Sequence, residues 1–163
     1  NSLEIDAKEN AGELHDRLLN LGSQTVLETL GLIENDKVNL TTQFESDDLK
    51  TAYKLNKENC KIDWNKSLKE INNLIRGLSP YPAAWTQMVV NEQELAVKIY
   101  EADFVIEQHN CKMFTILTSK KEIKIAHPEG FLLLKSMQFP GKRKMSTQEI
   151  LNGTKFSENS FVS

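Results

Sequence analysis

The segment Ser79-Pro80-Tyr81-Pro82 divides the chain into two regimes of hydrophobic spacing. Before it, Leu68, Ile71, Leu74, Ile75 and Leu78 recur at the helical period. Ser67-Leu68-Lys69-Glu70 opens that stretch as a capping box, and Gly77 falls near its end. The two prolines then forbid any continuation of the helix. Asp63 and Trp64 precede the box, and Trp64 is expected to anchor the helix start. Past Trp85 the period becomes two. Met88-Val89-Val90 and the stretch from Glu92 to Ala102, with Leu95, Val97 and Ile99 alternating, flank a turn at Asn91. Phe104-Val105-Ile106 reads as a separate short run, and Phe114, Ile116 and Thr118 alternate again. Ser119-Lys120-Lys121 turns the chain into Ile123-Lys124-Ile125, and His127-Pro128-Glu129-Gly130 turns it into Phe131 to Gln138. Ser146-Thr147-Gln148-Glu149 is a further capping box, for a short helix stopped at Gly153. From Lys155 no element is specified. Five or six short antiparallel strands with a capped helix predict an α+β, mainly β domain: a small OB-like Greek-key barrel.

Two helices are expected upstream. Asn10 and Glu13 cap the first, Leu14, Leu18 and Leu21 form its stripe, and Gly22 is read as its stop. Ser23 then caps a second helix carrying Val26, Leu27, Leu30 and Ile33. Each stripe needs a surface to lie on, and none is evident in the chain. Residues 35–51 lose all periodicity and read as a linker.

The length of 163 residues allows one domain, or a small domain with an appendage. The longest apolar runs, such as Phe131–Leu134, fall far short of a membrane span, and no secretory leader opens the chain. No membrane partner is expected. The first residue is Asn, which marks an excised or processed piece of something longer. The net charge of −3 hides an asymmetry. Residues 1–48 carry three basic and eleven acidic side chains, while the other 115 carry 17 basic and 12 acidic. A modestly basic module is compatible with nucleic acid, although small domains also vary by several charges.

Catalytic constellations are wanting. Cys60 and Cys111 have no metal-ligand spacing and do not cluster with His15, His109 or His127, so no metal site is expected. No phosphate-binding glycine motif occurs. His15-Asp16 is read as a solvated face of a helix, and His127 as part of a hairpin turn. The most concentrated charge is Lys142-Arg143-Lys144, three cations in a loop between a strand and a capped helix, where they can face phosphates. Lys54, Lys57, Lys61 and Arg76 extend the basic character into the central helix. Tyr53, Tyr81 and Trp85 are expected to pack around Pro80 and Pro82, with stacking on bases as the alternative.

Several ordered motifs resemble the methionyl-tRNA formyltransferases. Ala11-Gly-Glu-Leu-His-Asp-Arg-Leu18 with Leu21-Gly22 is similar to the segment closing their catalytic domain. Lys54-Leu55-Asn56-Lys57-Glu58, Ile62-Asp63-Trp64 and Ile75-Arg76-Gly77-Leu78-Ser79-Pro80-Tyr81-Pro82-Ala83-Ala84-Trp85 resemble the opening of their C-terminal domain. Gln138 to Gly153 resembles its closing motif, and Gly141 to Ser146 points to the tRNA enzymes in particular. Departures are Asn10 for a capping Thr, Ala83-Ala84 where Gly is frequent, and Asn110-Cys111-Lys112 in place of a Pro-Gly before a middle strand.

The resemblance implies a tail of the catalytic domain over residues 1–34, a linker over 35–51 and a C-terminal OB-like tRNA-binding domain over 52–163. It implies that the intact, cytoplasmic enzyme moves a formyl group from 10-formyltetrahydrofolate to the amino group of initiator methionyl-tRNA. The family's Asn, His and Asp catalytic residues and its folate site belong to an N-terminal domain missing here, so no catalytic residue and no cofactor is carried over. Lys142, Arg143, Lys144, Arg76, Lys54, Lys57 and Lys61 are the expected tRNA contacts. The alternative is a bracing domain of a sugar-nucleotide formyltransferase or of a formyltetrahydrofolate hydrolase or dehydrogenase.

Overall fold

The computed structural model describes residues 1–163. In chain order the elements are α1 (Ala11–Glu34), α2 (Leu68–Leu78), β1 (Ala84–Val90), β2 (Gln93–Ile106), β3 (Ile116–Thr118), β4 (Ile123–His127), β5 (Gly130–Gln138), β6 (Met145–Ser146), α3 (Thr147–Gly153) and β7 (Phe161–Val162). The fold is α+β, a small OB-like barrel with one helix packed on it and a long helix leading in. The strands run β3-β4-β5-β2-β1-β7, with β6 beside β5, and every pair is antiparallel. The two ends of that order also meet. Thr115 bridges Phe161, the Ile116 amide donates to the Ser160 carbonyl (2.8 Å), and the Val162 amide donates to the Phe114 carbonyl (3.0 Å). The tail left undefined by the sequence is thus the strand that seals the barrel. A two-residue strand carries no periodicity, so no pattern announces it.

Capping boxes form at all three helix starts: Asn10 with Glu13, Ser67 with Glu70, and Ser146 with Glu149. On α2, Leu68, Ile71, Ile75 and Leu78 are buried in the core shared with β1, β2 and β5. At about 1.5–3 kcal/mol per buried aliphatic side chain, this face is what fixes the helix. Trp64 is buried as expected, and its Nε1 donates to Thr86 Oγ1 (2.9 Å). The β4–β5 turn also holds the start of α2. Glu129 Oε2 accepts from the Leu68 amide (2.8 Å). His127 Nδ1 accepts from the Glu129 amide (3.2 Å), which leaves its Nε2 to donate to the Lys66 carbonyl (3.0 Å). At Gly130 the backbone adopts φ 147, and a Cβ there would lie 2.0 Å from the Val105 carbonyl oxygen. Ala83 takes φ 73, in the left-handed region that favours glycine.

Three expectations are corrected. The N-terminal region is one 24-residue helix, not two. Gly22 sits in open space, and a glycine in an exposed helix interior costs only about 1 kcal/mol relative to Ala. Ser23 does not cap; its hydroxyl donates back to the Leu19 carbonyl (2.8 Å). Phe104-Val105-Ile106 is no separate strand but the end of β2, which runs past a register shift around Glu101. Tyr53 and Tyr81 do not pack on the prolines; they are 80% and 85% exposed. As the unmatched stripes required, α1 contains no buried residue, and Leu18, Leu19, Val26, Leu27, Leu30 and Ile33 are exposed. No helix is long and apolar enough to cross a membrane.

Candidate nucleic-acid interface

The β1–β2 hairpin closes with Asn91 (φ 50) and Glu92 (φ 68), both in the left-handed region that a two-residue type I′ turn demands. This turn sets Val90 against Gln93 and, by the same count, Trp85 against Lys98. Lys98 in turn faces Gln138 on β5, and Lys61 bridges Trp85 from the other side. Residues directly opposite one another share a face. Ala84, Thr86, Val97, Ile99 and Met137 point into the core, so Trp85, Lys98 and Gln138 point outward.

Cations gather at both ends of this row. Lys57 Nζ and Lys61 Nζ lie 5.2 and 5.7 Å from the Trp85 ring centroid, and Trp85 Nε1 donates to the Lys57 carbonyl (2.7 Å). At the other end Gln138 links two groups. Its Oε1 accepts from the Tyr100 hydroxyl (2.7 Å) and its Nε2 donates to the Lys142 carbonyl (2.7 Å). Lys144 Nζ lies 5.0 Å from the Tyr100 ring centroid. Lys57, Lys61, Lys98 and Lys144 thereby share one outer strip with Trp85 and Tyr100 between them, and the backbone of the exposed Lys142 is tied to its end. Three interstrand steps of about 4.8 Å give this row a width of about 14 Å. The structure thus joins Lys57 and Lys61 to the Lys142–Lys144 loop, which lies more than 80 residues later. Lys98 escaped the sequence reading because a single lysine on a strand looks like any solvated position. The hairpin register was the signal that could have found it.

The remaining expected contacts stand apart. Arg143 Nη2 pairs with Glu149 Oε1 (2.6 Å). The Ser146 backbone amide, then Arg143 and the Ser146 hydroxyl, hold the Glu149 carboxyl down from its ordinary 4.5 to about 2. Lys54 is exposed in the irregular segment ahead of Lys57. Arg76 lines one groove with Tyr100 and Lys144, but its guanidinium is committed to the carbonyls of Asp6 and Glu9.

The side chains that could do acid–base chemistry do not converge. His15 Nδ1 touches Asp16 Oδ1 (3.2 Å), a contact not expected of helix neighbours, but both are largely exposed. His109 stacks on Phe131 (4.3 Å), and its Nε2 faces the carbonyls of His127 and Gly130. His127 is spent on the α2 turn. No cluster of three metal-ligating side chains occurs. Cys60 is buried and Cys111 half-buried, both as free thiols. These side chains therefore assemble no shared acid–base or nucleophilic centre.

The chain combines a sealed, OB-like barrel, a helix packed against it and an outer strip of lysines. The chain belongs to the family described as formyl transferase, C-terminal domain, whose model matches residues 54–155. It is 57% identical over 158 residues to the methionyl-tRNA formyltransferase of Flavobacterium johnsoniae, covering 97% of this chain and 50% of that protein. It is 43% identical over 155 residues to the enzyme of that name from Bacteroides thetaiotaomicron, covering 92% of this chain and 48% of that protein. The chain thus spans about half the length of the curated relatives it matches. Among solved structures, a HypX variant from Aquifex aeolicus superposes with TM-score 0.66 at 18% identity, over 95% of this chain and 28% of that one. HypX in complex with tetrahydrofolic acid superposes with TM-score 0.58 at 20% identity, over 82% of this chain and 24% of that one. At these identities the likeness is one of fold.

Proposed function

We propose that this chain is the tRNA-docking portion of a methionyl-tRNA formyltransferase. In translation initiation, in the cytoplasm, the intact enzyme would move a formyl group from 10-formyltetrahydrofolate to the amino group of initiator methionyl-tRNA. Residues 1–34 are the tail of the catalytic domain, 35–51 the linker and 52–163 the tRNA-binding domain. The match to the C-terminal domain family starts at residue 54, and the relatives align over nearly the whole chain while being about twice as long. That extra length supplies what the bare stripe of α1 lacks, a surface to cover it. The catalytic residues and the folate site lie in that other part, and this chain contributes none.

The observation that carries the reading is the strip formed by Lys57, Lys61, Lys98 and Lys144 around Trp85 and Tyr100, with Lys142 at its end. Ammonium groups spaced along a flat outer face complement a phosphate backbone, and contacts of this kind position the ligand without reading its sequence. Arg143 lies in the same loop as Lys142 and Lys144, with its guanidinium paired to Glu149. A sugar nucleotide, with two phosphates, would engage only a fraction of this length. Binding of the chain to methionyl-tRNA and to a UDP-sugar should therefore separate the two readings. Weak, strongly salt-dependent binding of tRNA with no measurable UDP-sugar binding is expected. Affinity for tRNA that stays flat between 50 and 200 mM salt would refute the electrostatic docking. In the full-length enzyme, replacing Lys142, Arg143 and Lys144 together by Ala should weaken tRNA binding, and unchanged affinity would remove them from the site.

A further inference from the structure

The hydrogen bonds between the α1 region and the barrel are made by Arg76, Gly12 and Ser79, none of them a lysine of the docking strip. Arg76 leaves the last turn of α2 with its Nε held by Asn73 Oδ1 (3.0 Å). Its Nη1 donates to the Glu9 carbonyl (2.9 Å) and the Asp6 carbonyl (3.3 Å), about 70 residues earlier in the chain. A second arginine braces the same segment. Arg17 Nη1 pairs with Glu9 Oε1 (2.7 Å) and its Nη2 donates to the Glu4 carbonyl (3.2 Å). The Glu9 side chain is only 6% exposed and also accepts from the Asp6 amide (3.2 Å). The third point is Gly12. Its amide donates to the Ser79 carbonyl (3.1 Å), and a Cβ there would lie 2.6 Å from Pro80 Cδ.

We infer that Arg76, Arg17 and Gly12 form a latch that fixes the angle of α1 against the barrel, and through it the position of the catalytic part relative to the lysine strip. This rests on the reading that α1 belongs to the catalytic domain. Three properties support it. Arg76 binds main-chain carbonyls, so it holds the path of the segment whatever side chains stand there. Its planar group is oriented by the Nε bond to Asn73, and a lysine has no second nitrogen to make that bond while its ammonium meets the carbonyls. Beyond the latch, α1 has no buried residue, and its further hydrogen bonds run to Asn1 of its own N-terminal segment and not to the barrel. A helix of 24 residues is about 36 Å long, so a 10° error at the anchored end displaces the far end by about 6 Å. A displacement of that size separates a well-placed acceptor from an idle one. Arg76, Arg17 and Gly12 are therefore positioning residues.

The test measures the angle and the turnover separately. Spin labels at Glu28→Cys on α1 and Glu94→Cys on β2, in a Cys111→Ser background, report the distance between helix and barrel by pulsed electron resonance. One narrow distribution is expected for the parent. Arg76→Lys and Gly12→Ala should broaden it or shift it by about 5 Å or more, while the melting of the barrel stays put. Asp6→Ala, which leaves the carbonyl in place, should leave it narrow. A narrow, unshifted distribution in Arg76→Lys would overturn the latch. In the full-length enzyme, Arg76→Lys should lower kcat/KM for methionyl-tRNA while the tRNA affinity of this chain alone is unchanged. A shifted distance with unchanged turnover would leave the latch standing and overturn the assignment of α1 to the catalytic domain.

Discussion

Lys98 offers the sharpest measurement on the docking face. It lies in the middle of the outer row, opposite Trp85 on one side and Gln138 on the other. The row is about 14 Å wide, the length over which one strand of a duplex presents about four phosphates at 3.4 Å each. With a slope of about −0.7 to −0.9 per neutralised phosphate, the logarithm of affinity should fall with the logarithm of salt at about −3. Between 50 and 200 mM salt this amounts to a loss of about 60-fold. Lys98→Ala removes one contact, so the slope should relax to about −2.3 and the loss over the same range to about 25-fold. The affinity at low salt should drop only a few-fold, as befits one exposed ion pair. Fluorescence anisotropy with labelled tRNA at three salt concentrations measures both numbers. Lys121→Ala removes the same charge from the β3–β4 turn, away from the row, and should leave the slope unchanged. If Lys98→Ala and Lys121→Ala gave the same slope, net charge rather than the strip would govern binding.

Two further outcomes concern the frame around this face. Glu149 should titrate at about 2 in the folded chain, followed by NMR of its carboxyl carbon, and Arg143→Ala should raise that midpoint because the guanidinium bond is lost. Since the folded value is depressed, the support this box gives α3 is complete above about pH 4.5 and disappears as pH falls towards 2; an unmoved midpoint in Arg143→Ala would exclude the ion pair. Gly130→Ala should destabilise the barrel by about 3–4 kcal/mol, from a forced backbone shift at φ 147 and the weakening of the bonds beside it. At about 2–4 °C per kcal/mol for a chain of this size, melting should fall by about 10 °C, and a loss below 1 kcal/mol would refute the close approach of Val105.

What the sequence disclosed was what it encodes locally. The three capping boxes depend on residues three apart and formed as written. The central helix and its stop, the hairpins and the OB-like barrel followed from period and turn residues. Gly22-Ser23 misled because a stop signal followed by a cap signal is still compatible with an uninterrupted helix when both sites are exposed. Val162 could not be placed because its partners on β1 lie more than 70 residues away. The same limit applied to the candidate site. The Lys142–Lys144 cluster was visible as a run, whereas its alignment with Lys57, Lys61 and Lys98 exists only through pairing across strands. Arg76 looked like one more cation on a basic helix, and its bonds to the carbonyls of Asp6 and Glu9 are invisible to any local rule.

The closure of the barrel by β7 also has a consequence in time. β1 is complete at Val90, but the strand that covers its free edge starts at Phe161, 71 residues later. At about 5–20 residues per second, a ribosome takes about 4–14 s to cross that interval. Through those seconds the part of β1 around Met88 and Val89, which residues 60–62 leave uncovered, offers unsatisfied amides and carbonyls to any passing chain, and β3 does so from its own synthesis onward. The nascent protein is therefore most open to misassociation late in its synthesis, and a stall just before Ser160 would hold it there.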